Sequence, residues 1–231
     1  MSKYSPHFYL AFFLLLNIFN FIDRNLLIAF APEIKSDFNL TNVEWGLLTG
    51  VYFLFFYSVF GIFMGVLGDK FNRMKIAAAG VFLWSIMTAF TGMAKNFAHL
   101  IVARALIGVG ESALTPNSIS MLSDVYNQNK RGTASAIYYL GIPLGVGLAM
   151  LIASIFGPMF GWRAVFISLG LIGVVLAIIT YFLIEPIRGQ LDNVSQNDEK
   201  SMSIREIISL TKSTLYNSKS LTLIIVGSIF L

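Results

Sequence analysis

Gly65-Val66-Leu67-Gly68-Asp69-Lys70-Phe71-Asn72-Arg73-Met74-Lys75 joins two uncharged apolar runs, residues 45–68 and 76–94. Each run is long enough to cross about 30 Å of hydrocarbon at about 1.5 Å of rise per residue. The short charged stretch therefore reads as a turn between two membrane spans. Outward from it the pattern recurs. Residues 132–162 and 164–184 are also free of charge, and residues 8–30 and 97–123 are as apolar except for Asp23 and Arg24 in the first and Arg104 and Glu111 in the second. Six spans result, and the expected fold class is an all-α, polytopic membrane helix bundle. Composition agrees: of 231 residues 56% are hydrophobic and 12% charged, with a mean hydropathy of +0.75, whereas a soluble domain carries about 25% charge. With no cysteine, a disulfide framework, a thiolate nucleophile and a Cys-ligated metal are excluded.

The cations set an orientation. Lys3, Lys70, Arg73, Lys75, Lys130, Arg131 and every basic residue from Arg188 onward fall on one side of the six spans, and only Lys35, Lys95 and Arg163 fall on the other. The positive-inside rule then puts the N-terminus and the end of the sixth span in the cytoplasm. The net charge of +4 is explained by topology, and no nucleic-acid partner is expected. Lys3 before an apolar stretch, with Ala29-Phe30-Ala31 behind it, resembles a signal peptide, but Asp23 and Arg24 interrupt the pattern.

Three segments follow: a six-span bundle over 8–184, a cytoplasmic linker over 185–220, and an apolar stretch over 221–231. Within the linker, residues 190–200 have the composition of a flexible connection. Ser203 and Glu206 make a capping-box pattern, and Ile204, Ile207, Ile208, Thr211 and Leu215 share one helical face. An amphipathic helix is expected there, on the membrane surface or against the protein's own loops. The final stretch is too short to cross a bilayer and reads as the start of a seventh span, so a longer protein is expected.

The charges inside spans carry the chemistry. Asn17, Asn20 and Arg24 form a polar stripe at i, i+3 and i+7, while Asp23 lies about 100° round the helix from Arg24. Arg104 and Glu111, two turns apart, share a face and read as a pair. Ionised groups in hydrocarbon cost at least a few kcal/mol each and mark functional sites by default; a buried ion pair that only fixes helix packing is the other reading. Gly141, Gly145 and Gly147 around Pro143 suit close packing and a kink, and Trp162 and Arg163 suit interfacial anchors. Gly110-Glu111-Ser112-Ala113 superficially looks like a serine protease site, but His7 and His99 lie at span edges and His99 is too far along the helix to be the base of Ser112. No enzyme activity and no cofactor is expected.

The 65–75 loop resembles the signature loop of the major facilitator superfamily, matching it at Gly65, Asp69, Lys70 and Arg73. It departs at Asn72, where glycine is usual, and at Met74, where a second cation is usual and Lys75 stands one place later. Arg104 with Gly108 and Gly110 resembles the superfamily's second motif. With Asn20-Phe21-Ile22-Asp23-Arg24 and Ile142-Pro143-Leu144-Gly145 added, the stretch from about 17 to 186 most resembles the spinster branch. That resemblance implies the N-terminal half of the superfamily fold, in which the first and fourth spans are repeat equivalents lining a central cavity. Asn20, Asp23, Arg24, Arg104 and Glu111 would then bind substrate or protons. Gly65, Asp69, Lys70 and Arg73 would gate, with Gly65 letting helices approach, Asp69 meeting a helix N-terminus and the cations anchoring at lipid headgroups.

The function so implied is secondary transport by alternating access, coupled to protons, of an amphiphilic anion such as a lysolipid or sphingoid lipid. Organic-anion symporters of the same superfamily share the Asp-Arg pair and supply the alternative; for the stretch alone a non-transporting membrane scaffold is a third. The implied partners are substrate, protons, membrane lipids and a C-terminal half, and the implied location is a bacterial inner membrane.

Overall fold

The computed structural model describes residues 4–189 and 191, and within them every regular element is helical. The helix α1 (Pro6–Ala29) is the first span, started by Ser5, whose Oγ accepts from Phe8 N at 3.2 Å, with proline in its first turn. A short α2 (Ala31–Phe38) follows and stops at Asn39, the one non-glycine residue with positive φ among those described. The second span, Asn42–Lys70, comprises α3 (Asn42–Gly46), a π-helical turn over Leu47–Val51 and α4 (Tyr52–Lys70). A capping box of Thr41 and Glu44 opens it. The third span is α5 (Arg73–Gly92), and the fourth is α6 (Phe97–Glu111) with α7 (Leu114–Val125). Then come α8 (Gln128–Tyr139) and α9 (Gly141–Phe182). At φ +75°, Gly161 breaks α9 into the ends of two spans, so five continuous apolar helical stretches make six crossings.

The breaks have local causes. Proline lacks the N–H that the carbonyl four residues earlier needs, and its ring crowds that carbonyl. Pro143 follows the α8–α9 break, where a kink is expected from the sequence, and Pro116 follows the α6–α7 break. Neither that second break nor α2 figures among the expectations. The amphipathic helix expected over 203–215 and the span expected from 221 lie outside the described residues.

The spans hold one another through a core of Tyr9, Phe13, Trp84, Tyr138 and Phe166, all fully buried. The third and first spans both pack against α9. Where the third span crosses the fourth, Gly80 and Gly110 face each other so closely that a Cβ on Gly80 would sit 2.6 Å from the Gly110 carbonyl oxygen. Outside this core the surface is apolar, with Phe55, Ile62, Leu151, Ile172 and Phe182 exposed. Such an exterior suits hydrocarbon, into which helices with internally bonded backbones can be placed.

Candidate functional site

Four charges from two helices meet inside the bundle. Asp23 and Arg24 come from α1, Arg104 and Glu111 from α6, and Asp23, Arg104 and Glu111 are each at most 4% exposed. The ion pair is not the one expected from spacing. Glu111 Oε2 accepts from Arg24 Nη2 at 2.7 Å and from Arg24 Nε at 3.1 Å. Arg104 donates instead to the Arg24 carbonyl oxygen at 3.3 Å. Seven residues of helix separate Arg104 from Glu111 by about 10 Å along the axis, while Arg24 stands across from Glu111 on the neighbouring helix. Arg24 keeps 23% of its side chain exposed and Glu111 none, so the cation is the member that faces outward from the cluster.

The remaining bonds are incomplete. Asp23 does not pair with Arg24; its Oδ1 accepts from Thr88 Oγ1 on α5 at 2.7 Å. Within the described residues Asp23 Oδ2, Glu111 Oε1, Arg104 Nε and Asn20 Nδ2 are buried without a hydrogen-bond partner. Buried polar atoms left so are rare and costly. Asn17, on the same stripe, is spent structurally: its amide donates to the Tyr138 carbonyl at the α8–α9 break at 2.8 Å.

Aromatic rings surround the cations. Arg24 Cζ lies 4.9 Å from the Phe21 ring centre, 4.6 Å from Phe53 and 4.9 Å from Tyr57, and Arg104 Cζ lies 4.7 Å from Phe53. Phe53 can sit so deep because Gly108 admits the second span: a Cβ there would be 2.8 Å from the Phe53 carbonyl oxygen. The π-helical turn ends one residue before α4 begins, and such turns re-aim the helix that follows. Phe21, Phe53, Tyr57 and Thr88 are absent from the sequence expectations. In a chain with 21 phenylalanines nothing marks three rings as special.

At the end bearing Lys70, the loop is built differently from its expected form. Arg73 is buried at 4% rather than anchored at headgroups. It pairs with Asp124 on α7 at 2.7 Å and with Glu185 after α9 at 2.6 Å, and donates to Ser120 Oγ at 2.8 Å. Lys70 and Asp69 are exposed, and Asp69 has no ion pair among the described residues. A Cβ on Gly65 would meet nothing within 4 Å; the tight position is Gly68, against Asn117. Asn72 is no anomaly here, since its Oδ1 caps α5 by accepting from Lys75 N at 2.9 Å. Arg188 donates to the Gly68, Asp69 and Phe71 carbonyls, closing the C-terminus of α4 where a cation suits the helix dipole. Asp124, Glu185 and Arg188 were signalled only by being charges at the very ends of apolar runs. At the opposite end Trp162 is buried, donating through Nε1 to Asp37 Oδ2 at 2.9 Å, and Arg163 donates to the Ala94 carbonyl at 2.8 Å.

Comparison with known proteins adds the family. A sequence model of the Major Facilitator Superfamily matches residues 13–231. The Drosophila melanogaster protein "Protein spinster" is 30% identical over 198 residues, covering 85% of this chain and 32% of that protein. The Danio rerio protein "Sphingosine-1-phosphate transporter SPNS2" is 36% identical over 182 residues, covering 76% and 36%. The Escherichia coli "Probable L-galactonate transporter" is 29% identical over 166 residues, covering 72% and 36%. A crystal structure of a bacterial homologue of the human lysosomal transporter spinster, in an inward-facing and occupied conformation, superposes with a TM-score of 0.75 at 32% identity, covering 87% of this chain and 49% of that one. The chain thus spans about a third of the length of these curated relatives and about half of the solved structure.

Proposed function

This chain belongs to the Major Facilitator Superfamily, on its spinster-like branch, and from that membership we propose that it forms the N-terminal six spans of a secondary transporter for an amphiphilic anion, driven by protons. The observation that carries the reading is the Arg24–Glu111 pair. A cation partly exposed and a carboxylate wholly buried share one bond network inside the bundle, with Asp23 and Arg104 beside them. An anionic head competes with Glu111 for Arg24. A carboxylate that loses its counter-charge in a low-dielectric interior is costly, and a proton on Glu111 removes that cost. Substrate binding and protonation are thereby linked, each favouring the other.

Phe21 and Tyr57 beside Arg24 suit a molecule with an apolar portion next to its anion, and the relative named for sphingosine-1-phosphate favours a lysolipid or sphingoid phosphate. A small organic acid is the second reading, favoured by the relative named for L-galactonate. Alternating access would close on the Arg73, Asp124 and Glu185 network at one end of the bundle, in the cytoplasm if the N-terminus is inside, and Asp69 with Lys70 would bias that closure. A bacterial inner membrane is the proposed location. Uptake into proteoliposomes of radiolabelled lysophosphatidylglycerol and of L-galactonate by the complete protein discriminates the substrates. Saturable uptake of the lysolipid, not displaced by L-galactonate, is expected; the reverse selectivity would transfer the reading to organic anions.

A further inference from the structure

Once an anion takes Arg24 from Glu111, an arginine tethered by that carboxylate alone is free to swing away from the site. We propose that Phe21, Phe53 and Tyr57 form an aromatic cage that holds the Arg24 guanidinium in place independently of Glu111, so that the cation stays a fixed anion receptor throughout the exchange. The proposal rests on the transport reading for its purpose, but not for its geometry.

Three rings lie within 4.9 Å of Arg24 Cζ, each with the guanidinium over its face. They come from two helices. Phe21 precedes Arg24 by three residues on α1 and so shares its side of the helix, while Phe53 and Tyr57 lie one turn apart on α4, their rings stacked at 5.5 Å. Guanidinium groups bind aromatic faces, and more strongly where water is excluded. The anchor ring is itself immobile: Phe53 is 2% exposed, its carbonyl is seated against Gly108, and its ring also carries Arg104.

The cage leaves defined edges. Nε and Nη2 face Glu111, and the three rings lie close around Cζ. The Tyr57 side chain also hydrogen-bonds the Arg24 group, and the Arg24 side chain retains its 23% exposure. An incoming anion therefore meets Arg24 on its exposed side before Glu111 has let go. A lysine ammonium cannot reproduce this, since it has no plane to stack.

Two measurements test the cage. In the complete protein in nanodiscs, labelled with 15Nε-arginine, the Arg24 Nε–H resonance, assigned by Arg24→Lys, should be shifted upfield by the rings. That shift should persist in Glu111→Gln, fall in Phe21→Leu and vanish in Phe53→Leu. Its absence in the wild type, or its loss in Glu111→Gln alone, would overturn the cage. Binding of lysophosphatidylglycerol should tighten in Glu111→Gln, because the competing carboxylate is gone, and weaken by about tenfold when Phe53→Leu is added, with recovery in Glu111→Gln/Phe53→Tyr. Equal affinity of Glu111→Gln with and without Phe53→Leu would also overturn it. A normal set of shifts with no lysolipid binding would leave the cage standing and overturn the lysolipid reading instead.

Discussion

Gly108 decides how near the second span comes to the charged cluster. Its missing side chain is where the Phe53 carbonyl sits, 2.8 Å from the place a Cβ would take, and a backbone atom cannot turn aside as a side-chain tip can. Gly108→Ala should therefore cost about 1–3 kcal/mol, the usual penalty of overpacking, and push Phe53 off both arginines. Gly46→Ala, in α3 with nothing within 4 Å, should be neutral or stabilise by up to about 1 kcal/mol, since alanine is the better helix former. Thermal unfolding of the two variants in detergent checks the contrast, and equal melting shifts would refute the packing at Gly108. Which residues are ionisable inside the spans was legible in the sequence, because Asp23, Arg24, Arg104 and Glu111 interrupt otherwise apolar runs. How they pair was not. Spacing on one helix reports what shares a face, whereas Arg24 meets Glu111 across 87 residues, which depends on the rotation of two helices about their own axes.

At the scale of elements, Arg73 ties the start of α5 to the end of α7 and to the segment after α9. Removing it would leave Asp124 as a buried carboxylate without its cation, while Glu185 keeps Arg188 at 3.2 Å, and losing one partner of a buried pair costs about 3–5 kcal/mol. Arg73→Ala should thus lower the melting temperature steeply, and Asp124→Asn with Glu185→Gln in that background should restore part of the loss. No restoration would mean that packing, not charge, holds the junction. Asp69 differs, being exposed: Asp69→Asn should leave the melting temperature alone and slow transport more than it weakens substrate binding, by shifting the access equilibrium. A fall in affinity at unchanged rate would assign Asp69 to binding. Element boundaries were readable where a rule is local, as with the kink before Pro143. The capping role of Asn72 was hidden, since it became visible only once α5 had a fixed start, and the partners of Arg73 lie 51 and 112 residues away in sequence.

For the whole molecule, the asymmetry of cations predicts which end lies in the cytoplasm. The chain has no cysteine of its own, so single cysteines report cleanly. Positions 95 and 163 should label from outside intact cells with an impermeant thiol reagent, and positions 130 and 200 should not; outside labelling at 130 would invert the topology. In the proposed mechanism substrate takes Arg24 as a proton takes Glu111, each favouring the other. The most direct measurement is accumulation of radiolabelled lysophosphatidylglycerol in proteoliposomes of the complete protein, with and without an imposed pH gradient, for the wild type and Glu111→Gln. The wild type should accumulate substrate only with the gradient, and Glu111→Gln should lose accumulation while still exchanging substrate across the membrane. Wild-type transport indifferent to the gradient, or a Glu111→Gln protein that accumulates as well as the wild type, would contradict the account.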